Sequence, residues 1–254
     1  MTNLRLQNGV DNCSVEAFVD QGKPSTDEAA STETASTETK VSAEQLSPRL
    51  DSYHPSVNSI SKRLIDIGIS LIGLLILVII FLPIAIAIKL DSSGPILYRQ
   101  ERCGLKGKRF KMYKFRTMVN GAEQLKKLVK NEAEGPIFKS KSDPRITRVG
   151  RFLRRSSLDE FPQFWNVLLG EMSLVGTRPP TPDEVSHYSE EHWRRLDVKP
   201  GLTGEWQVSG RSHISNFEDI FSLDMKYQHQ WTPARDLMII AKTVLVVLRG
   251  VGSY

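Results

Sequence analysis

The sequence holds few of the residues from which metal centres and cross-linked scaffolds are built. Two cysteines, Cys13 and Cys103, stand among 254 residues, far apart and in no ligand-type spacing. That argues against a disulfide framework and fits a reducing compartment. The five histidines, His54, His187, His192, His213 and His229, form no ligand cluster, and none is assigned to catalysis. The Gly-Lys turn at residues 104–108 lacks the spacing of a P-loop. The start of the chain also lacks the basic stretch and apolar core of a signal peptide.

Charge is present but unevenly placed. Residues 1–58 carry four basic residues (Arg5, Lys23, Lys40, Arg49) against nine acidic ones; the other 30 basic and 20 acidic residues lie beyond. A segment of −5 therefore precedes a body of +10. The first segment is rich in Ser, Thr and Glu and gives one unit twice, STETA then STETK. So little apolar content does not offset the entropy of ordering the backbone, and residues 1–58 read as a disordered tail. The basic body asks for an anionic partner: nucleic acid, phospholipid headgroup or phosphorylated substrate.

From Leu64 to Ile88 the chain is apolar except for Asp66 and Ser70. A bilayer core of ~30 Å needs about 20 such residues, so residues 59–90 read as a membrane element. Lys62 and Arg63 flank its start; Lys89, Arg99, Arg102, Lys106 and Lys108 follow its end. Positive charge on both sides is best met with both ends cytoplasmic. Pro83 can kink the helix, and a re-entrant hairpin is expected, with a single kinked span as the alternative.

The stretch from Arg145 to Gly170 concentrates the chemistry. Arg145, Arg148, Arg151, Arg154 and Arg155 lead into adjacent carboxylates, Asp159 and Glu160, followed by Phe161, Phe164 and Trp165. Arginine forks match phosphate oxygens, and a carboxylate can serve as nucleophile, base or metal ligand. Ser157-Leu158-Asp159-Glu160 also fits a capping box, in which acidic residues merely complement a helix dipole. A helix start that is capped can still bind an anion, so both readings stand. Elsewhere, Gly176–Pro180 sets Arg178 between rigid prolines, and Lys199–Arg211 is a glycine-rich segment with Gln207 and Arg211.

Taken together these segments resemble the bacterial sugar transferases, the monotopic polyprenyl-phosphate phosphoglycosyl transferases. The resemblance runs from about Lys62 to Tyr254. It rests on KRLIDI, IKLDSSGP, YRQERCG, MYKFRTM, DPRITRVGRFLRRSSLDEFPQFWNVLLGEMSLVGTRP, PGLTGEWQVSGR and VVLRG in that order. It implies that Asp159 is a nucleophile toward the β-phosphate of a UDP-sugar, with UMP expelled and a polyprenyl phosphate then taking the sugar phosphate. Glu160 matches the dyad partner, and the pair is implied to bind Mg²⁺ or to assist proton transfer. Arg154 and Arg178 match phosphate-holding arginines; Gln207 and Arg211 lie in a nucleotide-side motif; Lys114 falls in the segment implied to contact lipid phosphate or diphosphate. The family's helix break is commonly Ser-Pro, whereas Leu82 precedes Pro83 here. Without the extra spans of larger members, the chain reads as a minimal catalytic form.

The expected fold is α/β and mostly helical, a small cytoplasmic catalytic domain (residues 91–254) on the membrane helix, with interfacial amphipathic helices. Strands are expected at 96–98 and 110–115, and helices at 121–133, 158–169, 183–196, 217–229 and 235–248. The expected site is the inner (plasma) membrane of a bacterium, and the partners are UDP-sugar, polyprenyl phosphate and membrane lipid, with room for a homo-oligomer. A catalytically silent membrane scaffold of a polysaccharide assembly complex is the competing reading. A nucleic-acid binder has charge alone in its favour, with no binding motif. No Asp-x-Asp triplet supports a soluble-type glycosyltransferase.

Overall fold

The computed structural model describes residues 53–140, 142–210 and 214–248. The tail through residue 52 and Arg211 lie outside the described residues. The folded body starts earlier than composition suggests. Pro55–Asn58 forms a single helical turn, α1, and His54 Nε2 pairs with the Gln228 carbonyl at 3.0 Å.

Helix α2, Ile60–Asp91, dominates the architecture. It starts at Ser59, whose hydroxyl accepts from the Lys62 N–H at 3.3 Å, and it runs on through Pro83. The missing N–H of a proline removes one helical bond, which the flanking apolar turns absorb. Of its most apolar window only 22% is buried, too little for the core helix of a soluble protein. Leu71, Ile72, Leu75, Val78, Ile79 and Leu82 are all exposed.

Both ends of α2 are tied to one body. At the start, Lys62 is buried, pairing with Asp236 at 2.7 Å and donating to the Val175 carbonyl at 2.8 Å. Arg63 donates to the Val167 and Leu168 carbonyls. These two cations, counted from sequence as flanking charges, are thus spent inside the protein. Asp66 accepts from Ser173 Oγ and the Leu174 N–H. At the far end Ile84 and Ile88 pack with Phe115 and Leu153, and Asp91 Oδ2 accepts from the Val149 N–H at 2.9 Å.

The domain itself is built on two small sheets. Strands β1 (Leu97–Cys103) and β2 (Arg109–Phe115) form an antiparallel hairpin with Leu97 opposite Phe115 and Cys103 opposite Arg109. The β2 strand buries Phe110, Met112 and Phe115 while Arg109 and Lys111 stay exposed. Its outer edge is closed by a side chain rather than a strand. Asn166, fully buried, accepts from the Tyr113 N–H and donates to the Lys111 carbonyl and to Glu171. Asn166 sits on α4, Gln163–Leu169; helix α3 spans Arg148–Arg155. Strands β3 (Ser173–Val175) and β4 (Gly201–Thr203) pair in parallel. Helices α5 (Pro182–Ser186), α6 (Glu205–Val208), α7 (Phe217–His229) and α8 (Pro233–Leu248) complete the body. The main core joins Phe110 and Met112 to Val167, Met172, Leu174, Val175, Tyr227 and Ile239, with Ile65 and Ile69 of α2 packed on it.

Three expected helices differ. Residues 121–133 hold only a 3₁₀ segment, Gln124–Leu128: Gly121 has φ +76°, and the Asn131 side chain binds the Ala133 and Lys139 N–H groups, fixing a loop. The segment 183–196 splits into α5 and a 3₁₀ turn, His192–Asp197. Its capping box lies at Thr181 and Glu184. The segment 158–169 also splits, as described below. Helix α3, the short strands β3 and β4, and the single turn α6 were not foreseen, the strands being too brief to show a periodicity.

Candidate active site

Helix α3 carries the arginines toward the carboxylates. Thr147 caps it, its hydroxyl accepting from the Gly150 N–H at 2.9 Å. The helix packs backbone against backbone on the strand end at Thr117: a Cβ on Gly150 would lie 2.0 Å from the Thr117 carbonyl oxygen. That contact explains the glycine. One turn later Arg154 donates from Nε to Thr117 Oγ1 at 3.0 Å.

The chain then turns sharply at Ser157, which adopts the left-handed region with φ +55°. Its side chain makes no capping bond, so the capping-box reading of Ser157–Glu160 does not hold. A capping residue ordinarily takes extended backbone angles, which Ser157 does not. A 3₁₀ turn, Leu158–Glu160, follows, and α4 begins only after Pro162. Asp159 is 7% exposed at this turn. Beside it, Glu160 accepts from Lys114 Nζ at 2.9 Å, so β2 delivers a cation directly to the dyad.

Arg154 lies in the field of the same carboxylates. Burial pulls its guanidinium below the ordinary value, while Asp159, Asp143 and Glu160 act to restore it. Behind it Asp143 and Arg145 form a two-pronged pair, Nε to Oδ1 at 2.8 Å and Nη2 to Oδ2 at 2.6 Å. The Arg145 fork holds the Asp143 carboxyl below the usual carboxylate range. Neither Thr117 nor Asp143 was assigned a role from sequence, and Arg145, read there as one of a phosphate-matching run, is spent on Asp143. The Asp-Pro-Arg spacing at 143–145 was the available signal, because it sets a carboxylate and a fork two residues apart.

Arg178 falls in a neighbouring cluster. Its Nη1 donates to Glu184 Oε1 at 3.3 Å, close to Arg102, which donates to the Pro179 carbonyl at 2.8 Å. Burial lowers the Arg102 guanidinium to about 10, and the adjacent Arg178 pushes the same way. Gln207 stands on α6, its amide donating to the Leu202 carbonyl at 3.3 Å, and lines a cavity together with Glu160 and Ser157. The structure thus gathers Lys114, Arg154, Asp159 and Glu160 at one turn, with Gln207 across a cavity and Arg178 beside Glu184. Of the aromatic residues after the dyad, Phe164 packs on Gly73 of α2, and Trp165 is 47% exposed.

Among the described residues no group of three or more His, Cys, Asp or Glu side chains could hold a metal ion alone. The two adjacent carboxylates still suit Mg²⁺, which commonly takes one or two protein carboxylates and completes its shell with substrate phosphates and water.

A bacterial sugar transferase family model matches residues 57–250. A galactosyl transferase CpsE of Streptococcus agalactiae is 49% identical over 196 residues, covering 76% of this chain and 43% of that protein. An undecaprenyl-phosphate galactose phosphotransferase of Salmonella typhimurium is 44% identical over 202 residues, covering 76% and 41%. An exopolysaccharide production protein ExoY of Sinorhizobium fredii is 39% identical over 204 residues, covering 78% and 90%. The chain therefore spans about two fifths of the longer relatives and nine tenths of the shorter one.

Proposed function

The chain belongs to the bacterial sugar transferase family, and from that premise we propose that it moves a sugar-1-phosphate from a UDP-sugar to a polyprenyl phosphate at a membrane surface. The observation that carries this reading is the turn that sets buried Asp159 beside the Lys114–Glu160 pair, with Arg154 in their field.

On this reading a carboxylate oxygen of Asp159 attacks the β-phosphorus of the UDP-sugar. The bond from that phosphorus to the bridging oxygen breaks, and UMP leaves with that oxygen. An oxygen of the polyprenyl phosphate then attacks the same phosphorus and displaces the Asp159 carboxylate, giving a polyprenyl-diphosphate-linked sugar. Lys114 offsets the charge of Glu160, which would otherwise repel the incoming diphosphate. Arg154, fixed by Thr117, is a preplaced cation for charge that develops on the transferred group. Arg178 is a further cation for phosphate, and Gln207 and Arg211 belong to the nucleotide side. Mg²⁺ held by Asp159 and Glu160 would neutralise phosphate charge and favour attack by an anionic nucleophile.

The membrane placement is supported by α2: Lys62 and Asp91, near its two ends, are both bonded to one body, which favours both ends on one face of a bilayer. On this reading α2, one unbroken helix from Ile60 to Asp91, is embedded from the cytoplasmic side of the inner membrane, where the body rests, and Trp165 and the exposed side chains of α8 sit at the interface. The product starts exopolysaccharide assembly.

The test is UMP release by protein in nanodiscs given undecaprenyl phosphate, Mg²⁺ and a panel of UDP-sugars. Release with at least one sugar, abolished in Asp159→Asn, supports the reading. Release that persists in that variant removes Asp159 as nucleophile. Silence with every sugar from a folded sample returns the scaffold reading.

A further inference from the structure

A cavity of about 300 Å³ lies between the dyad turn and α8. Its wall is apolar and comes from several elements: Ile69 of α2, Phe164 of α4, Leu202 of β4, Val208 of α6, and Ile240 and Val244 of α8. Much of its polar lining comes from a single run, Arg155, Ser156, Ser157 and Glu160, with Thr203 and Gln207 opposite. One ligand chemistry matches an apolar chamber edged by a cation, hydroxyls and the dyad: an amphiphile with a hydrocarbon chain and an anionic head. A hexose does not match, because its hydroxyls would lose their hydrogen bonds against that wall. A nucleotide would bring the same penalty through its ribose and base if it passed the polar edge at Gln207 and entered against the apolar wall.

We propose that this cavity holds the head-proximal isoprene units of the polyprenyl phosphate and so presents its phosphate to the turn at Arg155–Glu160. The inference deepens the transfer reading and rests on it. Continuity with the membrane surface supports it. Ile69 belongs to the helix whose outward face shows Leu71, Leu75 and Val78, and Val244 to the helix that exposes Leu237 and Leu245. Each helix thus carries apolar surface both in the cavity and on the exterior. Ser157 supplies a second reason. The left-handed conformation favours glycine, yet a serine stands there with no capping role, lining the cavity. Its hydroxyl is a donor for a headgroup oxygen.

The experiment separates the half-reactions in nanodisc-held protein. Exchange of radiolabelled UMP into UDP-glucose and UDP-galactose needs no lipid, whereas transfer to undecaprenyl phosphate does. Farnesyl phosphate, a short soluble prenyl phosphate, serves as a competitor. Val246, half-buried in the lining, is the residue to change: Val246→Trp fills the cavity, Val246→Asn keeps its size and makes it polar, and Leu237→Trp on the opposite face of α8 is the control. Both Val246 variants should raise the KM for undecaprenyl phosphate about tenfold or more. Farnesyl phosphate should compete correspondingly less well, while exchange stays at the wild-type level and Leu237→Trp changes neither. An unchanged lipid KM with farnesyl competition intact overturns the proposal. Weakened exchange in Val246→Asn, with its lipid KM unmoved, overturns it in favour of a sugar-nucleotide site. Wild-type protein with neither exchange nor transfer brings down the transfer reading itself, a result distinct from either of these.

Discussion

Gly150→Ala tests whether the site depends on the backbone contact between α3 and Thr117. On helix propensity alone the change should stabilise by about 1 kcal/mol, since glycine is the poorer helix former. Packing points the other way. The added Cβ would sit 2.0 Å from the Thr117 carbonyl oxygen, 2.6 Å from its carbon and 2.8 Å from its Cα, where 3.4 Å is an ordinary contact. The neighbours are backbone, so nothing flexible can swing aside, and α3 must shift by about an ångström. Overpacking of this kind costs roughly 1–3 kcal/mol, which meets or exceeds the propensity gain. We expect a net loss of up to about 2 kcal/mol and a fall in Tm of up to several degrees, at about 2–4 °C per kcal/mol for a body of this size. Activity should suffer more than stability. The shift moves Arg154 off Thr117 Oγ1 and displaces the turn carrying Asp159, and misplacement by about 1 Å costs on the order of 10²-fold in rate. Thermal unfolding in detergent and the UMP-release rate read the two effects. A raised Tm with unaltered rate would show that propensity wins and refute the argument.

Three further outcomes are expected. Lys62→Met should destabilise by about 3–5 kcal/mol in denaturant titration, because it strands Asp236 as an uncompensated buried charge; Lys62→Met with Asp236→Leu should recover much of that loss. Ser157→Gly should raise Tm by relieving the left-handed strain, an effect of roughly 1 kcal/mol, and a lowered Tm would show that the serine side chain packs in a way that offsets it. The Asp143 carboxyl has a folded-state pKa depressed by the Arg145 fork, so its stabilisation is present above the unfolded carboxylate value of ~3.9 and is lost as pH falls. The stability gap between wild type and Asp143→Asn should therefore be full near neutral pH and shrink through the acid range; a gap that widens in acid contradicts the assignment.

What could be read from sequence was whatever has a length or a long motif. The apolar run of α2, helix α7 and helix α8 show as composition over a dozen residues or more, and the hairpin strand at 110–115 shows as alternation. The dyad with its arginine run was legible as a constellation. The structure puts Lys114, Arg154, Asp159 and Glu160 together, although Lys114 and Glu160 are 46 residues apart in the chain. The short elements were not legible, because tertiary contacts decide them. Asn166 closes the edge of β2 from another element, and no local pattern announces that. Ser157 looked like a cap because the pattern of a capping box says nothing about φ. Lys62 looked like a surface charge because its partner lies 174 residues away.

That separation governs how the protein is made. Lys62 leaves the ribosome long before Asp236 exists, so the start of α2 waits without its counter-ion while most of the remaining chain is synthesised. At bacterial rates of about 20 residues per second the delay is on the order of 10 s, far longer than a helix needs to form. During that interval the first turn of α2 lacks the partner that neutralises it. The body can close over Val175, Tyr227 and Asp236 only once all three have been made, so the pocket that buries Lys62 is among the last parts of the fold to be completed.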